Sequence, residues 1–270
     1  MKKAFSTLAC PDLCFAELTA LAQRTGMNAV EIRLDKENRI CGWGIEHADE
    51  ILRISRETGI AISDLGTGIF VREWDENTVE SMVACGSFAA LVGARAIRVF
   101  ADAKKAEDGS HVLDFDGVAR TLREGAKRLA PLGVEVWIEN HSAYSTGASI
   151  APLLKEAECS NLRVIWDILH SIEFGEEPSQ TVRLIGNAIA HVHLKDGSPD
   201  QDGKPYTLTR MDEGAVDFRE IAKALKSIGY AGYLSLEWEL MWHPELARYF
   251  STTEDLLLDY NDCLSKYFLR

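Results

Sequence analysis

The chain of 270 residues is poor in basic residues and has no apolar run long enough to span a membrane. Lysine and arginine together number 29 against 42 for aspartate and glutamate, which gives a net charge of −13. Because proteins that bind nucleic acids typically carry a basic face, this balance argues against a nucleic-acid partner. Pro11, Asp12 and Glu17 interrupt the N-terminal apolar stretch, unlike the core of a signal peptide. We therefore expect a cytoplasmic protein with no membrane partner.

Cysteines are few and scattered. They lie at positions 10, 14, 41, 85, 159 and 263, without the paired spacing that is typical of a metal site. We interpret them as buried or idle thiols of a protein in a reducing compartment. A glycine-rich phosphate loop after the first β-rich segment is also missing, which argues against a doubly wound nucleotide-binding sheet.

Short β-rich segments alternate with amphipathic segments along the whole chain. We predict strands at 4–9, 29–34, 61–65, 96–100, 134–139, 164–168, 190–194 and 233–237. Apolar residues recur at three- and four-residue steps between them, which predicts helices at 15–25, 48–58, 78–92, 117–132, 150–157, 218–227 and 244–266. Glycines that resemble left-handed helix caps follow five of the helical segments, at positions 26, 59, 93, 133 and 229. Eight strand–helix units predict an α/β fold in which residues 1–270 form one (β/α)8 TIM barrel.

Carboxylates and imidazoles stand at the ends of the last four predicted strands, where a barrel enzyme carries its reactive groups. These segments read IENH at 138–141, WDILH at 166–170, HVHLKD at 191–196 and SLEWE at 235–239. Buried carboxylates are costly unless they are paired or bind a metal. We therefore predict one divalent-metal site formed by Glu139, Asp167, His193 and Glu237. An oxygen-rich set with one imidazole favours Mn²⁺, with Mg²⁺, Co²⁺ or Zn²⁺ as alternatives, and a buried carboxylate–imidazole network without metal is the competing interpretation.

The four motifs together resemble the xylose isomerase-like TIM-barrel superfamily, and more narrowly its sugar phosphate isomerase/epimerase family. The resemblance spans nearly the whole chain and is strongest from 135 to 239. It implies that the four predicted residues are the family's metal ligands and that Glu139 and Glu237 also form the catalytic acid/base pair. It further implies that His170 contacts the substrate, a small carbohydrate, and that the protein is a homo-oligomer, either a dimer or a tetramer.

The reaction that the resemblance implies is isomerisation or epimerisation of a keto-sugar, and the metal ligands alone do not decide between these. A metal-dependent dehydratase, a lyase of the inosose dehydratase type, is the alternative, and the HLKD version of the third motif favours it. Ketohexose 3-epimerases carry an arginine six residues after the ligand histidine, where this chain has Pro199. We expect Arg210 to be its substitute. A non-catalytic sugar-binding barrel and an abasic-site nuclease are further alternatives, although the family's nucleases use histidines in the first four strands, which this chain lacks.

Several other residues are candidates for binding substrate. His141 shares a strand face with Glu139, and Lys195 shares one with His193, where Lys195 would bind a carboxylate or hydroxyl or act as an acid. Arg33 and Arg98 are expected near strand ends, where arginine suits a carboxylate or phosphate, but each could instead pair with a structural acid, such as Glu31 for Arg33. Two tryptophans are candidates to cover a sugar face, Trp43 and Trp74.

Overall fold

The computed structural model describes residues 1–106, 108–199 and 206–269. Eight parallel strands close into a barrel in chain order, and the last pairs with the first through Lys2 and Tyr233. The strands are β1 (Lys2–Ser6), β2 (Ala29–Arg33), β3 (Ala61–Val71), β4 (Ala96–Ala101), β5 (Glu135–Glu139), β6 (Leu162–Asp167), β7 (Ile189–Leu194) and β8 (Tyr233–Leu236). The predicted TIM barrel is therefore confirmed, and each predicted strand overlaps an observed one.

Helices follow the strands and cover the outside of the barrel. They are α1 (Phe15–Arg24), α2 (Ala48–Thr58), α3 (Glu76–Val92), α4 (Phe115–Leu129), α5 (Gly147–Ala157), α6 (Ile168–Glu173), α7 (Pro178–Ile185), α8 (Phe218–Ser227) and α9 (Thr253–Tyr267). The predicted glycine caps are confirmed, with φ of 71° at Gly59 and 75° at Gly93. None of the helices in the described part of the chain is both long and apolar enough to cross a membrane.

The helix prediction was wrong at two places. The helix predicted at 244–266 is interrupted, because the Thr252 side chain accepts a hydrogen bond from the Asp255 amide and starts α9 separately, after a short 3₁₀ segment at Pro244–Arg248. The two helices after β6 were not predicted. The first is short and begins where the Asp167 carboxylate accepts hydrogen bonds from the amides of Leu169 and His170.

Two apolar regions lie on the two sides of the strands. The larger one packs the helices against the outer face of the barrel and includes Phe5, Ile32 and Leu234. The smaller one fills the inside with Ala96, Trp137, Ile165 and Ala190. Because residues two apart on a strand share a face, Trp137 inside the barrel directs Glu139 inside as well. The inner wall therefore changes from apolar to charged toward the carboxyl ends of the strands.

Candidate metal centre and its cavity

The four predicted ligands meet at the carboxyl ends of the last four strands. Glu139 and Asp167 are the final residues of β5 and β6, His193 lies in β7 opposite Asp167, and Glu237 directly follows β8. One ligand atom from each lies within 4.8 Å of the others, and all four side chains are buried. We call these residues the candidate metal cluster. Sequence spacing predicted this set, and the closure of the barrel brings it together.

The imidazole of His193 tests whether the cluster suits a cation. Its Nδ1 atom is buried and has no hydrogen-bond partner among the residues that the structure describes. It lies 3.4 Å from Glu237 Oε2, 3.6 Å from Glu139 Oε1 and 4.0 Å from Asp167 Oδ2. A buried ring nitrogen that faces three carboxylates without a hydrogen bond to any of them is the arrangement that a divalent metal ion satisfies, and the donor set of three carboxylates and one imidazole suits Mn²⁺ or Zn²⁺. The residues therefore fit a metal ion.

The other ring nitrogen of His193, Nε2, is bound by the carboxylate of Glu31. His193 Nε2 lies 2.9 Å from Glu31 Oε2, and the same oxygen receives a hydrogen bond from Ser235 at 2.9 Å and lies 3.2 Å from His191 Nε2. Burial raises the pKa of Glu31, but the two histidines outweigh burial and hold it below its usual range. A carboxylate on the far side of a ligand histidine fixes its tautomer and leaves Nδ1 free for the metal. Glu31 is thus engaged here and does not pair with Arg33, contrary to one of the two expectations for Arg33.

Arg98 is the counter-ion of Glu139. Its Nη1 atom lies 2.5 Å from Glu139 Oε2, and both side chains are buried. Burial and the charge of Glu237 raise the pKa of Glu139, but Arg98 and His193 outweigh them and bring it to about 2. Glu139 is therefore ionised at neutral pH, in the state that a metal ligand or a base requires.

Lys195 is the counter-ion on the opposite side of the candidate metal cluster. Its Nζ atom lies 2.7 Å from Asp167 Oδ2, 2.8 Å from Glu237 Oε2 and 2.5 Å from Glu239 Oε1. Burial favours the neutral amine, yet these carboxylates raise the pKa of Lys195 well above its usual value. Burial likewise raises the pKa of Glu237, but His193 and Lys195 bring it well below its usual range. Each candidate acid/base glutamate thus has its own cation.

Four rings form a continuous wall beside the cluster. The ring centroids of Phe70 and Phe100 lie 4.6 Å apart, those of Phe100 and His141 4.9 Å, and those of His141 and His170 4.8 Å. Burial lowers the pKa of His141, so this ring is neutral at neutral pH. His170 lies 3.7 Å from Asp167 and 3.3 Å from Glu173, and these acids raise its pKa although burial lowers it. We call these rings the aromatic wall.

A cavity of about 340 Å³, here named the cluster cavity, opens onto these groups. It is lined by the predicted residues Arg33, Arg98, Glu139, His141, His170, Lys195 and Glu237, together with Leu8, Phe70, Phe100, Glu239 and Trp242. Arg210 does not line it, because its guanidinium is bound to Asp259 of α9 and to Glu213, and it fixes that helix instead. Trp43 packs on His47 and Trp74 on Arg120, so neither covers the cavity.

Sequence reasoning missed the roles of four residues that matter here. Glu31 had a usable signal, since it is an acid within the apolar strand AVEIR and shares a face with Arg33. Phe70 and Phe100 resemble ordinary core residues in sequence and gave no such signal. Trp242 gave no signal in the sequence either; it lines the cavity, and 59% of its surface is exposed.

Comparison with known proteins gives a matching family model and several curated relatives. The family model described as xylose isomerase-like TIM barrel matches residues 19–252. An inosose dehydratase of Clostridium perfringens is 26% identical over 151 residues, which cover 49% of this chain and 50% of the relative. The chain spans about half the length of the curated relatives it matches.

Two solved structures superpose on the whole chain. The IOLI protein with a bound zinc atom gives a TM-score of 0.80 at 18% identity, with 100% of both chains covered. D-psicose 3-epimerase from Clostridium cellulolyticum, solved with D-tagatose, gives 0.79 at 16% identity, also with 100% of both chains covered. At these identities the likeness shows the fold alone, whereas the family model matches most of the chain. This protein belongs to the xylose isomerase-like TIM-barrel family.

Proposed function

We propose that this protein is a divalent-metal-dependent isomerase or epimerase of a keto-sugar, in which Glu139 and Glu237 are the acid/base pair. One observation carries the proposal: two buried glutamates with lowered pKa share the candidate metal cluster and line one cavity. They stand at the end of β5 and directly after β8, three strands apart in the ring of eight, and therefore reach the cavity from different directions. We propose Mn²⁺ as the native ion.

Different residues would activate the substrate and transfer the proton. A divalent ion held by Glu139, Asp167, His193 and Glu237 would polarise the substrate carbonyl and acidify the neighbouring C–H group. One ionised glutamate removes that proton. The other takes up a proton from solvent and delivers it to the opposite face, which inverts the carbon, and the first glutamate then returns its proton to solvent. Delivery to the adjacent carbon instead gives isomerisation. The aromatic wall offers an apolar surface for the C–H groups of the sugar and excludes water on that side.

Solvent exchange tests this proposal. The protein is incubated with Mn²⁺ and a panel of ketoses and keto-acids in D₂O, and carbon-bound deuterium is followed by NMR. We expect uptake in the wild type and a loss of about 10²- to 10⁴-fold in both Glu139→Gln and Glu237→Gln, since each removes one partner of the proton transfer. Glu135→Gln is the matched control, because Glu135 lies at the other end of β5 and is bonded to Arg95 and Trp137.

Mn²⁺ binding, measured by electron paramagnetic resonance, is checked in each variant, because glutamine keeps one oxygen ligand but loses the charge. Normal uptake in either glutamine variant that still binds Mn²⁺ would contradict the two-glutamate mechanism. An absence of uptake from every compound in the Mn²⁺-loaded wild type would contradict proton transfer as the reaction.

A metal-dependent dehydratase is the second candidate, and Lys195 is the observation that favours it. Its ammonium group lines the cluster cavity 2.8 Å from Glu237 and 2.5 Å from Glu239. After a glutamate removes the proton next to the carbonyl, Lys195 would donate a proton to the departing β-hydroxyl, so that an enone and water form. We expect Lys195→Gln to abolish the ultraviolet absorbance of such a product while deuterium uptake persists. A wild type that gives no absorbing product rejects this candidate.

We also propose the cellular compartment and the oligomeric state of the enzyme. All six cysteines lie among the described residues and are free, which supports the reducing cytoplasm expected from the sequence. We further propose a homo-oligomer, a dimer or a tetramer, as the resemblance implies. Size-exclusion chromatography with light scattering tests the second statement, and a monomeric mass would reject it.

A further inference from the structure

A second and larger cavity lies beside the cluster cavity. This side cavity measures about 720 Å³. The segments after β1 and β2, which include Leu13 and Leu34, form most of its wall, and Met241 also contributes. Arg33 and Trp242 line both cavities and therefore stand at their junction. A substrate bound at the candidate metal cluster thus has free space beyond Arg33 that is about twice as large as the cluster cavity.

Arg33 differs from the other two cations of the cluster cavity in having no acidic partner. Arg98 is paired with Glu139, and Lys195 with three carboxylates. Within the described residues, Arg33 has no carboxylate within 4.0 Å. Its Nη1 atom donates to the carbonyl oxygen of Gly66 at 2.9 Å and to that of Leu34 at 3.4 Å. In that same part of the chain, no acceptor is engaged by its Nε or Nη2 atom.

The position of Arg33 makes these unengaged guanidinium atoms significant. Its side chain is half-buried, and burial and the charge of Arg98 lower its pKa to about 10, so it is still a cation at neutral pH. Taking a guanidinium partly out of water without an anion is costly. The two bonds to carbonyl oxygens hold the group in place and leave its other edge free, which is the geometry that binds a carboxylate or phosphate.

We propose that Arg33 binds an anionic group of the substrate, so that the enzyme acts on a sugar phosphate or sugar acid rather than on a neutral ketose. The inference rests on the proposed function, which assigns the keto end of the sugar to the candidate metal cluster. The anionic group then lies at the junction of the two cavities, and the side cavity accommodates its hydration or any longer substituent.

Calorimetric binding to the Mn²⁺-loaded protein tests this assignment without requiring turnover. The probes are D-fructose, D-fructose 6-phosphate and 5-keto-D-gluconate, which separate a neutral ketose from a phosphate and from a carboxylate. We expect at least one anionic probe to bind about tenfold or more tightly than D-fructose, and Arg33→Met to remove most of that difference. The stronger anionic probe identifies the phosphate or the carboxylate.

Two further variants keep the test sharp. Arg39→Met is the matched control, because Arg39 also lines the side cavity but is paired with Asp35 and Glu37, and we expect it to behave as wild type. Arg33→Lys keeps the positive charge but loses the planar guanidinium group, so it should retain part of the preference for anionic probes. It replaces Arg33→Met in the test if that variant is unstable. Circular dichroism and Mn²⁺ affinity show whether each variant is folded.

Two results would overturn the proposal: anionic probes that bind no more tightly than D-fructose to the wild type, or a preference that persists in folded Arg33→Met and hence comes from the metal ion. These results differ from failure of the proposed function. Deuterium uptake into D-fructose without a preference for anions would keep the proposed function and reject the role of Arg33. Anion binding that depends on Arg33, without deuterium uptake into any compound, would keep the role of Arg33 and reject the proposed function.

Discussion

At the scale of single residues, Asp64 is a buried carboxylate that forms no ion pair with any described residue. Ser63 donates a hydrogen bond to its Oδ1 atom at 2.7 Å, while its Oδ2 atom has no hydrogen-bond partner in that part of the chain. Burial and the nearby charge of Glu31 raise the pKa of Asp64 to about 6. Because the folded state holds this proton more tightly than the unfolded chain, ionisation of Asp64 destabilises the fold.

We predict that Asp64→Asn stabilises the protein at pH 8 by up to about 3 kcal/mol, since asparagine carries no charge to bury. For a raised carboxyl pKa, the stability is fully present below the ordinary value and is lost as the pH rises through about 6. The advantage of the variant should therefore shrink between pH 6 and pH 4. Urea unfolding at pH 8 and pH 4.5 measures it, and a constant difference between the two pH values would contradict this origin.

The sequence predicted the residues of the site whose chemistry is unusual at their positions. Glu139, Asp167, His193 and Glu237 stood out because charged residues at the ends of buried strands need a reason. The counter-ions could be named as candidates, but their partners could not. Arg98 binds Glu139, whereas Arg33 binds no acid among the described residues. This difference depends on barrel closure and side-chain rotamers, and the apolar periodicity of the sequence predicts neither.

At the scale of elements, α3 and α4 are in close contact through glycine. A Cβ added at Gly86 of α3 would lie 2.2 Å from Cδ2 and 2.7 Å from Cδ1 of Leu129, which is buried at the end of α4. A Cβ at Gly125 of α4 would lie 2.3 Å from the terminal methyl of Met82. A branched leucine in a packed core has few other positions, whereas the end of a methionine side chain is flexible.

We predict that Gly86→Ala destabilises the protein by about 1–3 kcal/mol, because overpacking outweighs the better helix propensity of alanine. Gly125→Ala is the matched comparison and should cost clearly less, since Met82 can adjust. Chemical denaturation of both variants measures the difference. Adding Leu129→Ala should remove the penalty of Gly86→Ala, and additive effects in the double variant would show that the contact is not its cause.

Elements with strong local patterns were predicted correctly, and the misses have local causes. All eight strands and the glycine caps follow from alternation of apolar segments with turn residues. The division of the last helical region depends on the Thr252 cap, which competes with a continuing apolar period. The helices after β6 are too short to show a period, and the second begins at Pro178 after a turn at Gly175.

At the scale of the whole molecule, a metal ion would link half of the barrel wall. The four candidate ligands come from β5, β6, β7 and the residue after β8, which are consecutive around the ring. These strands must be paired before the ligands can meet, so binding should be coupled to global folding. An ion that binds only the folded state raises its apparent stability by mass action.

We predict that Mn²⁺ at about one hundred times its Kd raises the melting temperature by roughly 5–10 °C and that a chelator reverses this shift. Asp167→Asn should abolish most of the shift, because it removes one charged ligand. Asp116→Asn, on the exposed surface of α4, should keep the full shift. Differential scanning calorimetry checks all three proteins, and an equal shift in Asp167→Asn would place the ion elsewhere.

The two halves of the barrel contribute differently to the cluster cavity. The second half carries all four candidate ligands and Lys195, while β2 and β3 contribute Arg33 and Phe70 to the cavity wall and Glu31 of β2 is bonded to the ligand His193. The loops that bound the side cavity also belong mainly to the first half. Exchanging only the loops after β1 and β2 between relatives, with the strands and Glu31 kept, should thus reprogram which sugar is accepted while leaving the reactive centre intact, which makes this barrel a natural scaffold for modular redesign of specificity.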